Sequence, residues 1–184
     1  MEGFGMTDRF DSKEALSSIL SRRSIRRFKP DPIAKETLDQ ILTAGTYAPT
    51  GMNRQSPIIL AVTNKDLRDR LSRLNAQIMG TDGDPFYGAP TVVIVFGDSE
   101  RPNYIQDASL VLGNLMLAAY AADLGSCWIN RAREMFDTEE GKALKKEWGL
   151  EDKYVGVGCC ILGYPDGETP AAKPRKPDYI IKIK

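Results

Sequence analysis

The chain of 184 residues contains no histidine. That absence excludes a Ser-His-Asp triad, a Cys-His dyad, an HExxH zinc site and a histidine proton shuttle. Net charge is lacking too: 25 Lys+Arg stand against 25 Asp+Glu, with a sequence pI of about 6.4. Such a balance argues against a surface committed to nucleic acid or to an anionic membrane. Cysteine is scarce, and Cys127, Cys159 and Cys160 form no CxxC pair. An odd count with two adjacent residues fits no disulfide framework and points to a reducing cytoplasm. All three sit in apolar contexts and read as buried small hydrophobes rather than catalytic thiols. Neither GxGxxG nor GxxxxGK[ST] occurs, so a Rossmann site and a P-loop are unsupported. The longest uncharged run, Ala108 to Ala122, is 15 residues, short of the roughly 20 that a membrane span needs. The acidic, polar N-terminus does not read as a signal peptide. No metal ligand set is assigned.

What remains is an ordinary globular composition, with 42% hydrophobic and 27% charged residues. A chain of this length is expected to form one domain, residues 1–184, burying about 70% of the surface exposed on unfolding. Residues 1–10 read as a loose tail. A helix with Leu16, Ile19 and Leu20 on one face follows, capped by Asp11 or Ser12. A second helix is expected to open at Asp31-Pro32 and to end near Gly45. Ile58–Val62, Thr91–Phe96 and Tyr154–Leu162 read as buried strands. Helices are expected over 66–79, 107–123 and 138–148. The 107–123 helix is apolar nearly all round and therefore central or shared with a partner subunit. The turn-rich stretch 80–90, which holds Phe86 and Tyr87, suits a lid. A Pro/Lys-rich arm, 165–184, ends in the alternating segment 179–184, a half-exposed strand with no neighbour of its own. Interleaved helices and strands put the class at α+β or α/β.

Three segments carry candidate chemistry. Residues 22–29 hold five cations in eight positions, with Ser24 among them; guanidinium forks and a hydroxyl suit a phosphate. A solvated charged loop is the plain alternative, and a nucleic-acid contact a third. Lys173 and Arg175 sit in an extended segment where alternation puts both on one side, within reach of one phosphate, or simply in solvent. The loop from Pro49 to Gln55 gathers amides, a hydroxyl and a glycine just before a strand, suited to the edge of a heterocycle or to turn formation alone.

These segments together resemble a family. Arg22-Arg23-Ser24-Ile25-Arg26-Arg27-Phe28 is similar to the RRSxRxF motif of the flavin-dependent nitroreductases. Ala48-Pro49-Thr50-Gly51-Met52-Asn53-Arg54-Gln55 resembles that family's APSxxNxQP loop, with Ser56 where a proline usually stands. Asn114 to Ala119, followed by Leu124 to Ile129, resembles its central helix and GxxxxWI exit. Gly163-Tyr164-Pro165 with Lys173 and Arg175 resembles its GYP…KxR end. The resemblance spans about residues 12 to 176 and implies an α+β fold with a mixed sheet flanked by helices. It further implies a homodimer through the central helix, with FMN at the interface and the C-terminal strand exchanged onto the partner.

Carried over by position, Arg22, Ser24, Lys173 and Arg175 would hold the FMN phosphate. Arg23 and Arg26 would line the ribityl and ring edge. Pro49, Thr50, Gly51, Asn53 and Gln55 would reach the flavin from the partner subunit. Trp128, Ile129 and Asn130 would lie along the other side of the ring. NAD(P)H would be co-substrate in a ping-pong cycle, with the flavin N5, and no protein nucleophile, carrying the hydride. Arg26 is the first candidate to stabilise charge on the reduced ring. Phe86, Tyr87 and Tyr104 are candidates to stack on a planar small-molecule acceptor, with core packing as the alternative for each. Other flavin reactions on the same site, or FMN binding without turnover, remain open. Neither nucleic acid nor membrane is expected as a partner.

Overall fold

A computed structural model describes residues 12–184; the expected tail, residues 1–10, and Asp11 as a cap lie outside the described residues. Helices α1 (Ser12–Ser21) and α2 (Lys35–Thr46) precede strand β1 (Ile58–Val62), helix α3 (Lys65–Met79) and strand β2 (Thr91–Asp98). Then come α4 (Tyr104–Ala121), β3 (Gly125–Ile129), α5 (Ala132–Asp137), α6 (Glu139–Glu147) and β4 (Tyr154–Gly163).

The four strands form one sheet in the order β1-β2-β4-β3, and each neighbouring pair is antiparallel. The mixed sheet expected from the resemblance is therefore antiparallel among its named strands; its parallel component is a single bridge between Ser24 and Ser126 on the outer edge of β3.

Strand β2 organises the core because all eight of its residues are buried, which is why its sequence is a continuous apolar run rather than an alternation. Its period of two still sorts the side chains. Val92, Ile94 and Phe96 pack with Leu71 and Leu74 of α3, Met135 and Phe136 of α5, and Leu144 of α6. Val93 and Val95 point the other way, to Leu38 and Ile41 of α2 and Leu112 and Leu115 of α4. Helices thus cover both faces of the sheet, an α+β domain.

The helix ends follow local chemistry. The Asn64 side chain accepts from Leu67 N at 2.9 Å to start α3, and Gly80 ends that helix at φ 72. Thr138 Oγ1 accepts from Gly141 N at 3.0 Å to start α6. Helix α2 departs from expectation by opening at Lys35 rather than Asp31-Pro32; Ala34, with no side-chain cap, takes the entry position, and Leu38 N donates to its carbonyl at 3.0 Å.

Two apolar surfaces stay open in the single chain. Leu16, Ile19 and Leu20 of α1 are exposed, as are Ile105 and Leu110 on α4. The arm beyond Asp166 is exposed throughout, and 179–184 has no strand partner within the described residues. Its first residues are pinned: Phe28 and Pro165 bridge, and Asp166 N donates to Arg27 O at 3.0 Å.

Candidate functional site

The cationic segment lies along the free edge of β3. Ile25 N donates to Ser126 O at 2.9 Å, which fixes the Ser24–Ser126 bridge. Gly125 permits the approach, since a Cβ there would lie 2.9 Å from Ile25 Cβ and Cγ2. Arg22 and Ser24 share one side of an extended segment by period-two alternation. Among the described residues, three polar atoms in this region are buried without a hydrogen-bond partner: Arg22 Nη1, Arg23 Nε and Ser126 Oγ, the last on a residue only 2% exposed. Leaving such groups unsatisfied costs about 1–3 kcal/mol each, so the edge wants an acceptor that the described residues do not provide. Arg23 differs. Its Nη1 donates to the carbonyls of Leu20 and Arg22, each at 2.8 Å, and so closes the turn after α1.

At the other end of β3, Arg26, Tyr87, Trp128, Ile129, Asn130 and Arg131 line part of a cleft of about 310 Å³. The Arg26 guanidinium lies 5.9 Å from the Tyr87 ring centroid, within cation–π range. Asn75, fully buried on α3, donates from Nδ2 to the Asn130 carbonyl at 2.9 Å. Arg131 follows in the left-handed region at φ 75, where β3 gives way to α5. Trp128 is backed by Gly158 of β4: a Cβ there would meet its Cε2 and Cζ2 at 2.9 Å, and Leu112 Cδ1 at the same distance. Gly158→Ala is therefore expected to destabilise the fold by about 1–3 kcal/mol through overpacking. The change would also move the Trp128 ring, and the denaturant midpoint and tryptophan emission read the two effects separately.

The aromatic candidates separate cleanly. Phe86 is fully buried in the core and does not reach the cleft, a correction to its reading as a pocket residue. Tyr104 packs its ring against Gly97 of β2 and is not among the residues that line the cleft. Tyr87 alone of the three stands in the cleft wall. The 80–90 stretch is also tied down rather than loose. The Asp84 carboxylate accepts from Arg68 Nη2, Ser72 Oγ, Phe86 N at 2.8 Å and Gly88 N at 2.7 Å. Burial pushes the Asp84 carboxyl up, but these bonds outweigh it and hold the group below its ordinary value. Arg68 also donates from Nε to Ala89 O at 3.0 Å, gripping both ends of the stretch.

The loop before β1 is strained and sits elsewhere. Met52, Asn53 and Gln55 all have positive φ, at 55, 53 and 52°, a cluster of non-glycine outliers of the kind that marks a binding loop. The buried Asp107 carboxylate accepts from Gly51 N at 3.0 Å, and Thr50 Oγ1 accepts from Gln55 N at 3.0 Å. Pro49 and Asn53 are exposed. Thr50 and Gln55 line a cleft with Ile58, Ile59 and Val111, sharing no residue with the Arg26–Trp128 cleft. Lys173 and Arg175 lie on the exposed arm, and among the described residues neither makes an ion pair or hydrogen bond within the chain. One chain thus brings Arg22, Ser24, Arg26 and Trp128–Asn130 to β3, and keeps 49–55 and 173–175 apart from them.

The sequence reading missed Ser126, Asn75, Arg131, Asp107 and the Arg68–Asp84 pair. Only Asp84, an acceptor directly before Pro85, carried a local signal, that of a turn. The three thiols are free and buried, as read. Cys127, Cys159 and Cys160 are buried, and burial pushes the Cys159 thiol up to about 12.

The sequence profile of the Nitroreductase family matches residues 19–83 and 77–164. An FMN reductase [NAD(P)H] of Bacillus subtilis is 31% identical over 91% of this chain and 72% of its own. An NADPH-flavin oxidoreductase of Vibrio harveyi is 28% identical over 90% of this chain and 71% of its own. The crystal structure of a nitroreductase with bound FMN from Bacteroides fragilis superposes with a TM-score of 0.85, at 29% identity, covering 93% of this chain and 99% of that one. With a matching profile over most of its length and a relative of this likeness, the chain belongs to the nitroreductase family.

Proposed function

We propose that the protein is an FMN-dependent NAD(P)H oxidoreductase that acts in the cytoplasm as a homodimer. It would reduce nitroaromatic, quinone or similar planar acceptors by a ping-pong cycle. The observation that carries this reading is the unsatisfied pair at the β3 edge, Arg22 Nη1 and Ser126 Oγ, beside Ser24. A cation and hydroxyls without partners suit a phosphate, so the donor set fits the phosphate end of FMN. The cleft at the far end of β3, with a cation and an aromatic wall, suits a planar ring.

In this reading Arg22 and Ser24 bind the phosphate, and Lys173 and Arg175 close on it from the arm. Arg23 holds the turn that presents them. Arg26 places a positive charge in the cleft, where it stabilises negative charge on the ring system. Trp128, Ile129 and Asn130 form one wall and exclude water. Pro49, Thr50, Gly51, Asn53 and Gln55 would reach the ring from the partner subunit, which accounts for a strained, exposed loop far from the cleft of its own chain. When bound, FMN supplies two-electron chemistry, taking a hydride from NAD(P)H and passing it to the acceptor. No side chain has to act as nucleophile or histidine-type proton shuttle, so the composition is sufficient.

The purified protein is expected to be yellow, to lose its flavin absorbance within seconds of adding NADH or NADPH without oxygen, and to regain it with a quinone or nitroarene. A protein that binds FMN but is not bleached by either nicotinamide is a flavin carrier instead. One that takes up no FMN overturns the assignment.

A further inference from the structure

We infer that Tyr87 is the residue that selects planar acceptors, and that Asp84 and Arg68 are positioning residues that hold it in the cleft; this rests on the function proposed above. The sequence Asp84-Pro85-Phe86-Tyr87-Gly88-Ala89 turns two adjacent aromatics in opposite directions. Phe86 goes into the core, fully buried, with the Arg68 guanidinium 5.6 Å from its ring centroid. Tyr87 goes outward, 42% exposed, into the wall of the cleft that also holds Arg26 and Trp128.

The divergence strains the backbone at Tyr87, which adopts φ 53, while Gly88 takes φ 72 at no steric cost. A bulky residue does not hold a left-handed conformation unless its surroundings dictate it. Here Asp84 dictates it, because its carboxylate accepts from the amides on either side of Tyr87, those of Phe86 and Gly88. Arg68 then ties Asp84 to the carbonyl of Ala89, so the turn is closed at its base by one side chain that is itself buried. The turn is a preset wall, not a segment that closes on ligand.

The chemistry of the wall defines the class of acceptor. Arg26 lies within cation–π range of Tyr87, 5.9 Å from its ring centroid, and the tyrosine is still 42% exposed in the cleft wall. A flat, electron-poor ring gains offset stacking against an electron-rich phenol, whereas an octahedral anion such as ferricyanide gains none.

The test separates positioning from stability. Reoxidation of photoreduced, FMN-loaded protein is followed with 4-nitrobenzoate and with ferricyanide, so that use of NAD(P)H plays no part. Tyr87→Ala is expected to lower the ratio of the two second-order rate constants, nitrobenzoate over ferricyanide, by roughly 3- to 10-fold, the size of one aromatic contact. Tyr87→Phe should restore most of it, and Asp84→Asn should shift it in the same direction as Tyr87→Ala. In the FMN-free protein, Asp84→Asn is expected to speed hydrogen exchange at the amides of Phe86 and Gly88 while leaving β2 amides protected. An unchanged ratio in Tyr87→Ala overturns the selection. If Asp84→Asn slows both acceptors equally, or opens β2 along with the turn, Asp84 is merely structural and the positioning role is overturned. Wild-type protein that reoxidises normally but is not reduced by NAD(P)H defeats the preceding reading and leaves this one standing.

Discussion

Replacing Arg22 by alanine is expected to weaken FMN binding by roughly 10- to 100-fold, since a hydrogen bond to a charged group contributes about 1.5–3 kcal/mol and each 1.4 kcal/mol is tenfold. The reason is local. Arg22 Nη1 is buried and has no acceptor among the described residues, so in the free protein it carries a desolvation cost that the phosphate removes. Deleting the guanidinium removes that cost along with the contact. The flavin-free Arg22→Ala protein should therefore unfold at the wild-type temperature or slightly above, while the stabilisation conferred by added FMN shrinks. Arg27→Ala is the control for net charge. Arg27 is exposed and pairs with Asp166 at 3.0 Å, an interaction worth about 0–1 kcal/mol, and its loss should change FMN affinity by less than about threefold on that scale. Flavin fluorescence titration measures both. Equal affinities in wild type and Arg22→Ala would mean that the phosphate lies somewhere other than the β3 edge.

Features written in one continuous stretch of chain could be read before the fold was known. The apolar run of β2 and the glycine-bearing run of β4 declare strands buried on both faces, and the uninterrupted apolarity of α4 declares a central helix. The cationic segment 22–29 stood out as a candidate anion site because its charges are clustered. Features decided by tertiary contact were not legible. Strand β3 is only five residues and lacks the continuous apolar run of β1, yet Arg22, Ser24, Arg26 and Trp128–Asn130 are all arranged along it or at its ends. Whether Phe86 or Tyr87 faces the cleft depends on Asp84 capturing two amides, and adjacent aromatics in a turn carry no periodicity to sort them. Ser126 carries no signal of its own until Ser24 is bridged to it. Asn75 reads as an exposed helix position until its amide is found under the Asn130 carbonyl. The start of α2 was misplaced because an acceptor followed by proline resembles a cap, although no side chain caps that helix.

Removing residues 171–184 is expected to weaken self-association by at least 100-fold and to reduce FMN affinity along with it. The arm offers Tyr179, Ile180, Ile181 and Ile183 to solvent at 71, 75, 80 and 89% exposure. Large apolar residues clustered this closely on an exposed segment mark an interaction surface. Pro170, Pro174 and Pro177 keep the chain before them extended, so the arm is built to span a distance rather than to fold back as a helix. Alternation sets Tyr179, Ile181 and Ile183 on one side of the terminal segment, opposite Ile180, Lys182 and Lys184, the pattern of a strand with one covered face. Full burial of an aliphatic or aromatic side chain contributes about 1.5–3 kcal/mol. Ordering the arm and joining two chains offsets a large part of that, and a net of about 3 kcal/mol or more already means a hundredfold. Sedimentation velocity at micromolar concentration should show a dimer for the full chain and a concentration-dependent mixture for the truncated one. Because the truncation also removes Lys173 and Arg175, the variant Ile181→Lys with Ile183→Lys separates the two effects. It keeps both cations, should weaken the dimer to a similar degree, and should lose FMN only to the extent that the dimer dissociates. Identical sedimentation of all three proteins would show that the arm does not cross to a partner, and the exposed apolar face of α4 would then have to hold the dimer alone.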